Sequence, residues 1–134
     1  MEGRVEHRYE VRVYYEDTDL AGIVYYANYL KFIERARSEW VRSRGIEQGR
    51  LRAEKGIVFA VRRVEADYLR PAVFEDLLTV TTGLVELGGA RIVLDQAVWR
   101  GEERLFVARV MLVCVDEQMG AARIPAEVRA ALLA

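Results

Sequence analysis

Three carboxylates precede the longest helical pattern of this sequence, and they are the side chains best placed to do chemistry. Glu16, Asp17 and Asp19 stand in a segment that contains Gly22 and leads into that pattern. The first backbone N–H groups of a helix have no partner within the helix, and the helix dipole is positive there. A carboxylate beside such amides could act as base or nucleophile at a carbonyl carbon while the amides stabilise the oxyanion. Acids at this position are also typical of helix caps, and the spacing alone leaves both roles open.

The side chains that most other hydrolytic and metal sites require are scarce. The sequence contains one histidine (His7), one cysteine (Cys114) and only the serines Ser38 and Ser43. A zinc site built from His and Cys needs three or four such ligands, and a disulfide within the chain needs two cysteines. Neither serine lies in a G-x-S-x-G motif. Enzymatic chemistry would therefore use carboxylates, backbone amides or a bound cofactor, and we expect no metal.

The composition predicts one domain over residues 1–134, with 52% hydrophobic and 31% charged residues. Twenty basic and twenty-one acidic residues are interspersed, unlike the concentrated basic face of a nucleic-acid-binding protein. No apolar run approaches the ~18 residues of a membrane span. The segment from Met1 to Tyr9 is charged, unlike a secretory signal. We expect a cytoplasmic protein with no nucleic-acid partner and no membrane span.

The elements that would position the carboxylates are a strand and a long helix. Alternating apolar and polar residues predict a strand over 9–15. From about Tyr26 to Arg44 the apolar spacing becomes helical, and Gly45 is well placed to end the helix. The residues predicted to form the buried face of this helix are Tyr29, Ile33, Ala36 and Trp40.

The rest of the chain reads mostly as strands. The stretch over 47–55 is polar, and we assign no helix or strand to it. Gly88-Gly89 and Gly101-Glu102 predict tight turns between strands. A helical tail is predicted from Pro125 to Leu133. This order predicts an antiparallel sheet with one long helix packed on it. Such a sheet leaves an edge and part of a face uncovered, so we expect a homodimer or larger assembly. The four strands after the long helix are predicted over 57–69, 77–87, 90–99 and 105–115.

The segment from Asp17 to Arg37 carries a resemblance to a known family. Its pattern D-x-D-x-x-G-I-V-Y-Y-x-N-Y, followed by E-R-A-R, resembles the signature of hotdog-fold acyl-CoA thioesterases. The similarity is to the 4-hydroxybenzoyl-CoA thioesterase family, and most of all to its Tol-Pal-associated subfamily. It continues through F-A-V-R at 59–62, Y-L-R-P-A at 68–72 and D-L-L at 76–78. The resemblance implies an α+β hotdog fold, active sites at a dimer interface and dimers that pair into homotetramers.

The resemblance also implies an acyl-CoA thioesterase that uses no cofactor. The second acid of D-x-D, Asp19, corresponds to the carboxylate that acts as nucleophile or as general base. The backbone amide of Tyr26 corresponds to the oxyanion donor, although subfamily members often carry histidine there. Related enzymes place basic residues at the turn that is Gly88-Gly89-Ala90 here, where those residues meet the CoA phosphates, and only Arg91 stands near that turn.

Several other residues are weaker candidates for the site, because a structural role explains each of them as well. We expect Asp17 to cap the turn. Asn28 is a candidate substrate ligand, and we expect its side chain to form hydrogen bonds at the start of the helix. Tyr25, Tyr29 and Trp40 could line an acyl pocket, but such aromatics are more often core. We expect Cys114 to be buried and His7 to precede the first strand and be exposed. The arginines Arg62, Arg63, Arg70 and Arg91 could contact nucleotide phosphates but are more often paired or solvated.

Three alternative functions remain open. An acyl-carrier-protein thioesterase would use the same fold and chemistry on another thioester. A non-catalytic acyl-CoA binder, or an interaction partner in envelope maintenance, would keep the fold without the reaction. A hotdog dehydratase is disfavoured because that chemistry relies on a histidine that His7 is badly placed to supply.

Overall fold

The fold is that of a computed structural model, in which residues 4–134 are described. Five antiparallel strands form one sheet in the order β1-β3-β4-β5-β2, so β1 and β2 are its edges. This arrangement confirms the predicted α+β class. The strands are β1 (Arg4–Arg12), β2 (Val58–Tyr68), β3 (Leu77–Leu87), β4 (Arg91–Arg100) and β5 (Glu103–Val115), and the helices are α1 (Asn28–Ser43), α2 (Gln48–Lys55) and α3 (Ala126–Leu133).

Helix α1 supplies much of the hydrophobic core. The four positions predicted for its buried face are all buried, and Phe32 and Val41 extend that face. Helix α1 packs against β1, β3 and β4, whereas β2 is exposed from Val61 to Tyr68. The helix ends at Ser43, and Gly45 follows in the left-handed region at φ 79°, as expected for a glycine that terminates a helix.

The stretch over 47–55 was predicted to form no element, and that prediction is wrong. Residues Gln48–Lys55 form α2, which ends at Gly56 with a φ of 67°. Leu51 is the only buried residue of this helix. A helix that buries a single side chain has no apolar periodicity, so only its helix-favouring residues could have indicated it.

The first strand begins earlier than predicted, and His7 lies within it. Strand β1 runs from Arg4 to Arg12, with a bulge between Val5 and His7. His7 is half-buried, and its Nδ1 atom is buried without a hydrogen-bond partner among the described residues. The expectation that His7 precedes the strand and is exposed is therefore wrong. The bulge is the reason, because it interrupts the alternation by which a strand is recognised.

The C-terminal segment closes one end of the sheet. Helix α3 begins directly after Pro125, and Arg129 donates hydrogen bonds to the carbonyl oxygens of Leu87 and Gly88 in the β3–β4 turn. Cys114 is fully buried on β5, and burial raises the pKa of its thiol, as expected for a core residue. Among residues 4–134, no helix is long and apolar enough to cross a membrane.

Candidate functional site

Asp19 lies in a tight turn between β1 and α1. Its backbone N–H donates to the Ile23 carbonyl at 3.0 Å, and its own carbonyl accepts from Gly22 N–H at 2.9 Å. Gly22 has a φ of 81°, which a residue with a side chain rarely adopts. The Asp19 Oδ1 atom accepts a bond from Ala21 N–H at 2.9 Å, whereas no described group donates to Oδ2. The turn therefore fixes the carboxylate and leaves one of its oxygens available.

The segment that enters α1 is held by the carbonyl of Asp17. This oxygen accepts bonds from Tyr25 N–H and from the Asn28 side-chain amide, each at 2.9 Å. Asn28 N–H donates to the Tyr25 carbonyl at 2.8 Å. The predicted role of Asn28 in hydrogen bonding at the helix start is confirmed. Asp17 acts as predicted too, since its Oδ2 accepts from Tyr14 N–H at 2.8 Å.

The helix starts two residues later than predicted, which changes the setting of Tyr26. Tyr26 belongs to the turn before Asn28, the first residue of α1. The backbone N–H groups of Tyr26 and Ala27 find no acceptor within residues 4–134. Unpaired amides at a helix entrance are suited to bind a negatively charged oxygen.

A cleft of about 450 Å³ brings these groups together, and we call it the tyrosine cleft. It includes three of the candidate residues, Asp19, Tyr25 and Tyr26, whereas Asn28 lies behind it and Arg91 lies elsewhere. The residues that line the tyrosine cleft are Asp19, Ile23, Val24, Tyr25, Tyr26, Tyr29, Tyr68, Leu69, Arg70 and Pro71.

One wall of the tyrosine cleft is aromatic. The Tyr29 ring stacks on Phe106 at 5.0 Å, and the Tyr68 ring meets Phe106 edge-on at the same distance. The Tyr29 hydroxyl accepts a bond from Ala72 N–H at 3.0 Å. Burial raises the pKa of both the Tyr29 and the Tyr68 phenols, the backbone bond from Ala72 acting in the opposite direction on Tyr29. These phenols therefore stay neutral into the alkaline range.

The expectation that aromatics of α1 and its entrance belong to the core is partly wrong. Tyr29 and Trp40 are buried, as expected, and Tyr29 also lines the tyrosine cleft. Tyr25, by contrast, is 46% exposed because it precedes the helix and faces the tyrosine cleft. Tyr68 belongs to the Y-L-R-P-A motif of the resemblance, but the sequence did not identify it as a site residue. Its place at the end of a predicted strand, before Leu69-Arg70-Pro71, could have suggested a position at the sheet's end.

The candidate arginines are paired or exposed. Arg91 pairs with Glu86 at 2.5 Å, Arg63 with Glu65 at 3.3 Å, and Arg70 with Glu103 at 3.4 Å. Arg70 also lines the tyrosine cleft, whereas Arg62 is exposed on β2. Arg91 begins β4, beside the β3–β4 turn, while the tyrosine cleft lies at the end of the sheet where β4 finishes. Within one protomer, Arg91 and Asp19 are therefore at opposite ends of the sheet.

Chemically, the residues of the tyrosine cleft offer a carboxylate, an unpaired backbone amide and an aromatic wall. The carboxylate can remove a proton from water or attack a carbonyl carbon. The amide can bind the oxygen on which negative charge develops, a contribution of about 3 kcal/mol for one well-placed donor. The wall can hold an apolar group next to both. These are the components of acyl transfer to water.

Comparison with known proteins agrees with this chemistry. The family model of the Thioesterase superfamily matches residues 21–107. An acyl-CoA thioesterase YbgC of Haemophilus influenzae is 43% identical over 124 residues, which is 92% of this chain and 91% of the relative. An acyl-CoA thioester hydrolase YbgC of Escherichia coli is 42% identical and covers 81% of each chain.

The fold is shared with solved thioesterase structures. A probable thioesterase from Bartonella henselae superimposes with a TM-score of 0.85 at 38% identity, covering 89% of this chain and 98% of that one. The resemblance inferred from the D-x-D segment is thereby confirmed. The chain belongs to the thioesterase superfamily and has its hotdog fold.

Proposed function

We propose that this protein hydrolyses acyl-CoA thioesters to a free carboxylic acid and CoA. The observation that carries the proposal is that Asp19, whose carboxylate has one oxygen unpaired, and Tyr26, whose backbone N–H is unpaired among the described residues, line the same cleft. The names of the YbgC relatives, acyl-CoA thioesterases and thioester hydrolases, support CoA as the carrier.

In the proposed reaction, the thioester carbonyl oxygen accepts a hydrogen bond from Tyr26 N–H. Asp19 then acts in one of two ways. As a base it takes a proton from water while the water oxygen attacks the carbonyl carbon, and the C–S bond breaks to release CoA thiolate. As a nucleophile it attacks the same carbon, CoA thiolate leaves, and water hydrolyses the resulting anhydride. In both routes the thiolate is protonated, and a free acid and CoA are the products.

The acyl group and the CoA occupy different surfaces. The acyl group lies against Tyr25 and the wall formed by Tyr29 and Tyr68, while Asn28 holds the entrance segment from behind. The CoA phosphates require cations, and Arg91 supplies one at the β3–β4 turn. Arg123 lies at the same turn. Its guanidinium Nη1 atom is 3.9 Å from the position that a Cβ atom on residue 89 would occupy.

A homodimer formed by pairing two β2 strands would bring these surfaces together. Two copies of an edge strand related by a two-fold axis run antiparallel, so the Val58 end of one meets the Tyr68 end of the other. Val58 pairs with Val115, and Val113 pairs with Arg91, which places Arg91 at the Val58 end of the sheet. The partner would then present its Arg91 on the side of the tyrosine cleft. We further propose that two such dimers form a homotetramer in the cytoplasm.

The test is the Asp19→Asn variant, assayed for CoA release with a thiol reagent on a panel of aromatic and straight-chain acyl-CoAs. The substitution keeps the shape of the side chain and removes its charge, so kcat should fall by about 10²- to 10⁴-fold. Asp17→Asn is the matched control, since asparagine can keep the cap, and its turnover should equal that of the wild type.

Three outcomes would overturn the proposal. Unchanged turnover by Asp19→Asn would remove Asp19 from the mechanism. Tight binding of acyl-CoA without CoA release by the wild type would favour a binding protein. A large preference for the same acyl group on acyl carrier protein would replace CoA as the carrier.

A further inference from the structure

The geometry points to Tyr68 as a positioning residue: its hydroxyl holds the carbonyl of Tyr26 and thereby fixes the peptide that follows the Tyr26 N–H at the tyrosine cleft. This inference rests on the proposed function, because it concerns the proposed oxyanion donor. The Tyr68 hydroxyl donates to the Tyr26 carbonyl oxygen at 2.9 Å, across 42 residues of sequence.

Tyr68 supplies the only hydrogen bond to the Tyr26 carbonyl within residues 4–134. Helix α1 does not use this oxygen. In a regular helix Leu30 N–H would bind the Tyr26 carbonyl, but it donates to the Ala27 carbonyl at 3.2 Å instead. Asn28 N–H donates to the Tyr25 carbonyl. The carbonyl of a residue just outside a helix would otherwise face water and be free to rotate. A bond to a side chain from the sheet removes that freedom.

Tyr68 is 48% exposed, and neighbouring rings and backbone hydrogen bonds hold it in place. Tyr68 is the last residue of β2, where it pairs with Phe106 of β5. Its ring contacts Tyr29 at 5.4 Å and Phe106 at 5.0 Å, both edge-on. The next two residues, Leu69 and Arg70, both donate their N–H groups to the Leu105 carbonyl. The hydroxyl therefore connects the entrance of α1 to the β2–β5 pair.

Two hydrogen bonds fix the peptides on the two sides of Tyr26. The peptide group between Tyr25 and Tyr26 contains the Tyr25 carbonyl and the Tyr26 N–H. Its carbonyl oxygen accepts a hydrogen bond from Asn28 N–H at 2.8 Å. A bond at the carbonyl polarises the peptide and strengthens its N–H as a donor. The following peptide is held by Tyr68. With both peptides held, the N–H needs little reorganisation when charge develops on the substrate oxygen.

The first test is Tyr68→Phe, which removes the hydroxyl and keeps the ring. We expect kcat to fall by about threefold to tenfold, as for the loss of one neutral hydrogen bond, and KM to change less than about twofold. Tyr9→Phe, a half-buried tyrosine on β1 outside the tyrosine cleft, is the control and should keep wild-type kinetics. An unchanged kcat for Tyr68→Phe, or an equal loss in Tyr9→Phe, would overturn the inference.

Two unnatural residues at position 68 separate positioning from packing. 4-Aminophenylalanine restores an N–H donor to the ring and should recover the kcat that Tyr68→Phe loses. A trifluorotyrosine, whose phenol ionises near neutral pH, should add a loss of kcat on the alkaline side, because a phenolate cannot donate to the Tyr26 carbonyl. A role in packing alone predicts neither effect, and the absence of both would contradict the inference.

A readout independent of turnover keeps the inference separate from the proposed function. In protein labelled with ¹⁵N-tyrosine, Tyr68→Phe should shift the Tyr26 amide resonance and speed its hydrogen exchange. If the wild type cleaves no thioester, the proposed function fails and this resonance still decides the role of Tyr68. If the wild type is active and Asp19→Asn is not, an unmoved Tyr26 resonance rejects Tyr68 alone.

Discussion

Asn28 shows how one side chain can organise the candidate site without lining it. It is buried, and its side-chain amide and backbone N–H donate to the carbonyls of Asp17 and Tyr25 respectively. In Asn28→Ala the first bond is lost, so the segment from Asp17 to Tyr25 is held by one bond fewer. We expect the free energy of unfolding to fall by about 1 kcal/mol, measured by urea titration, and kcat to fall in parallel assays.

The Asn28→Asp variant sharpens this prediction. It keeps the size of the side chain but places a carboxylate where a donor faced the Asp17 carbonyl. Repulsion between the two oxygens should make its losses larger than those of Asn28→Ala. If Asn28→Asp were as stable and active as the wild type, the hydrogen bond to Asp17 would have no part in organising the site.

At the scale of elements, Gln96 connects α1 to the sheet beneath it. This β4 side chain is 2% exposed and donates from Nε2 to the Ile33 carbonyl and to the Thr82 hydroxyl, each at 2.9 Å. Gln96→Ala removes both bonds, together with the bond that Arg37 donates to Gln96 Oε1 at 3.4 Å, and leaves a cavity. The unfolding free energy should therefore fall by about 2–4 kcal/mol in denaturant titrations with an unchanged m-value. Thr82→Val removes only one of these bonds and should cost about 1 kcal/mol. Equal losses in the two variants would contradict this account.

The same scale shows what could be predicted from the sequence. Strand β3 spans the predicted residues 77–87, and the buried face of α1 is as predicted, because apolar periodicity reports burial on a single face. Helix α2 and the start of β1 were missed, since a helix with one buried residue and a bulged strand lack that periodicity. The D-x-D segment located Asp19, but the bond from Tyr68 to Tyr26 joins distant residues, which no local pattern encodes.

At the scale of the whole molecule, β2 is one of the two edge strands whose outer backbone groups a protomer leaves unpaired. Val61 and Val64 on it are 47% and 38% exposed. Edge strands of soluble monomers are usually short, charged or covered, because an open row of backbone N–H and carbonyl groups invites pairing. Tyr68 at the end of β2 lines the tyrosine cleft, so a partner on this edge would also enclose the candidate site.

Val64→Lys tests the proposed dimer and its role in activity together. A lysine in the middle of a β2–β2 interface would bury charge beside its symmetry mate, so light scattering should give the mass of a monomer where the wild type gives a dimer or tetramer. Val5→Lys is the matched control, because Val5 is 45% exposed on β1, the opposite edge, and this variant should keep the wild-type mass.

If the CoA phosphates are bound by the partner's Arg91, the KM for acyl-CoA should rise in Val64→Lys and stay unchanged in Val5→Lys. A Val64→Lys protein that keeps its mass would exclude β2 as the interface, and a monomer with wild-type KM would show that one protomer binds the whole substrate.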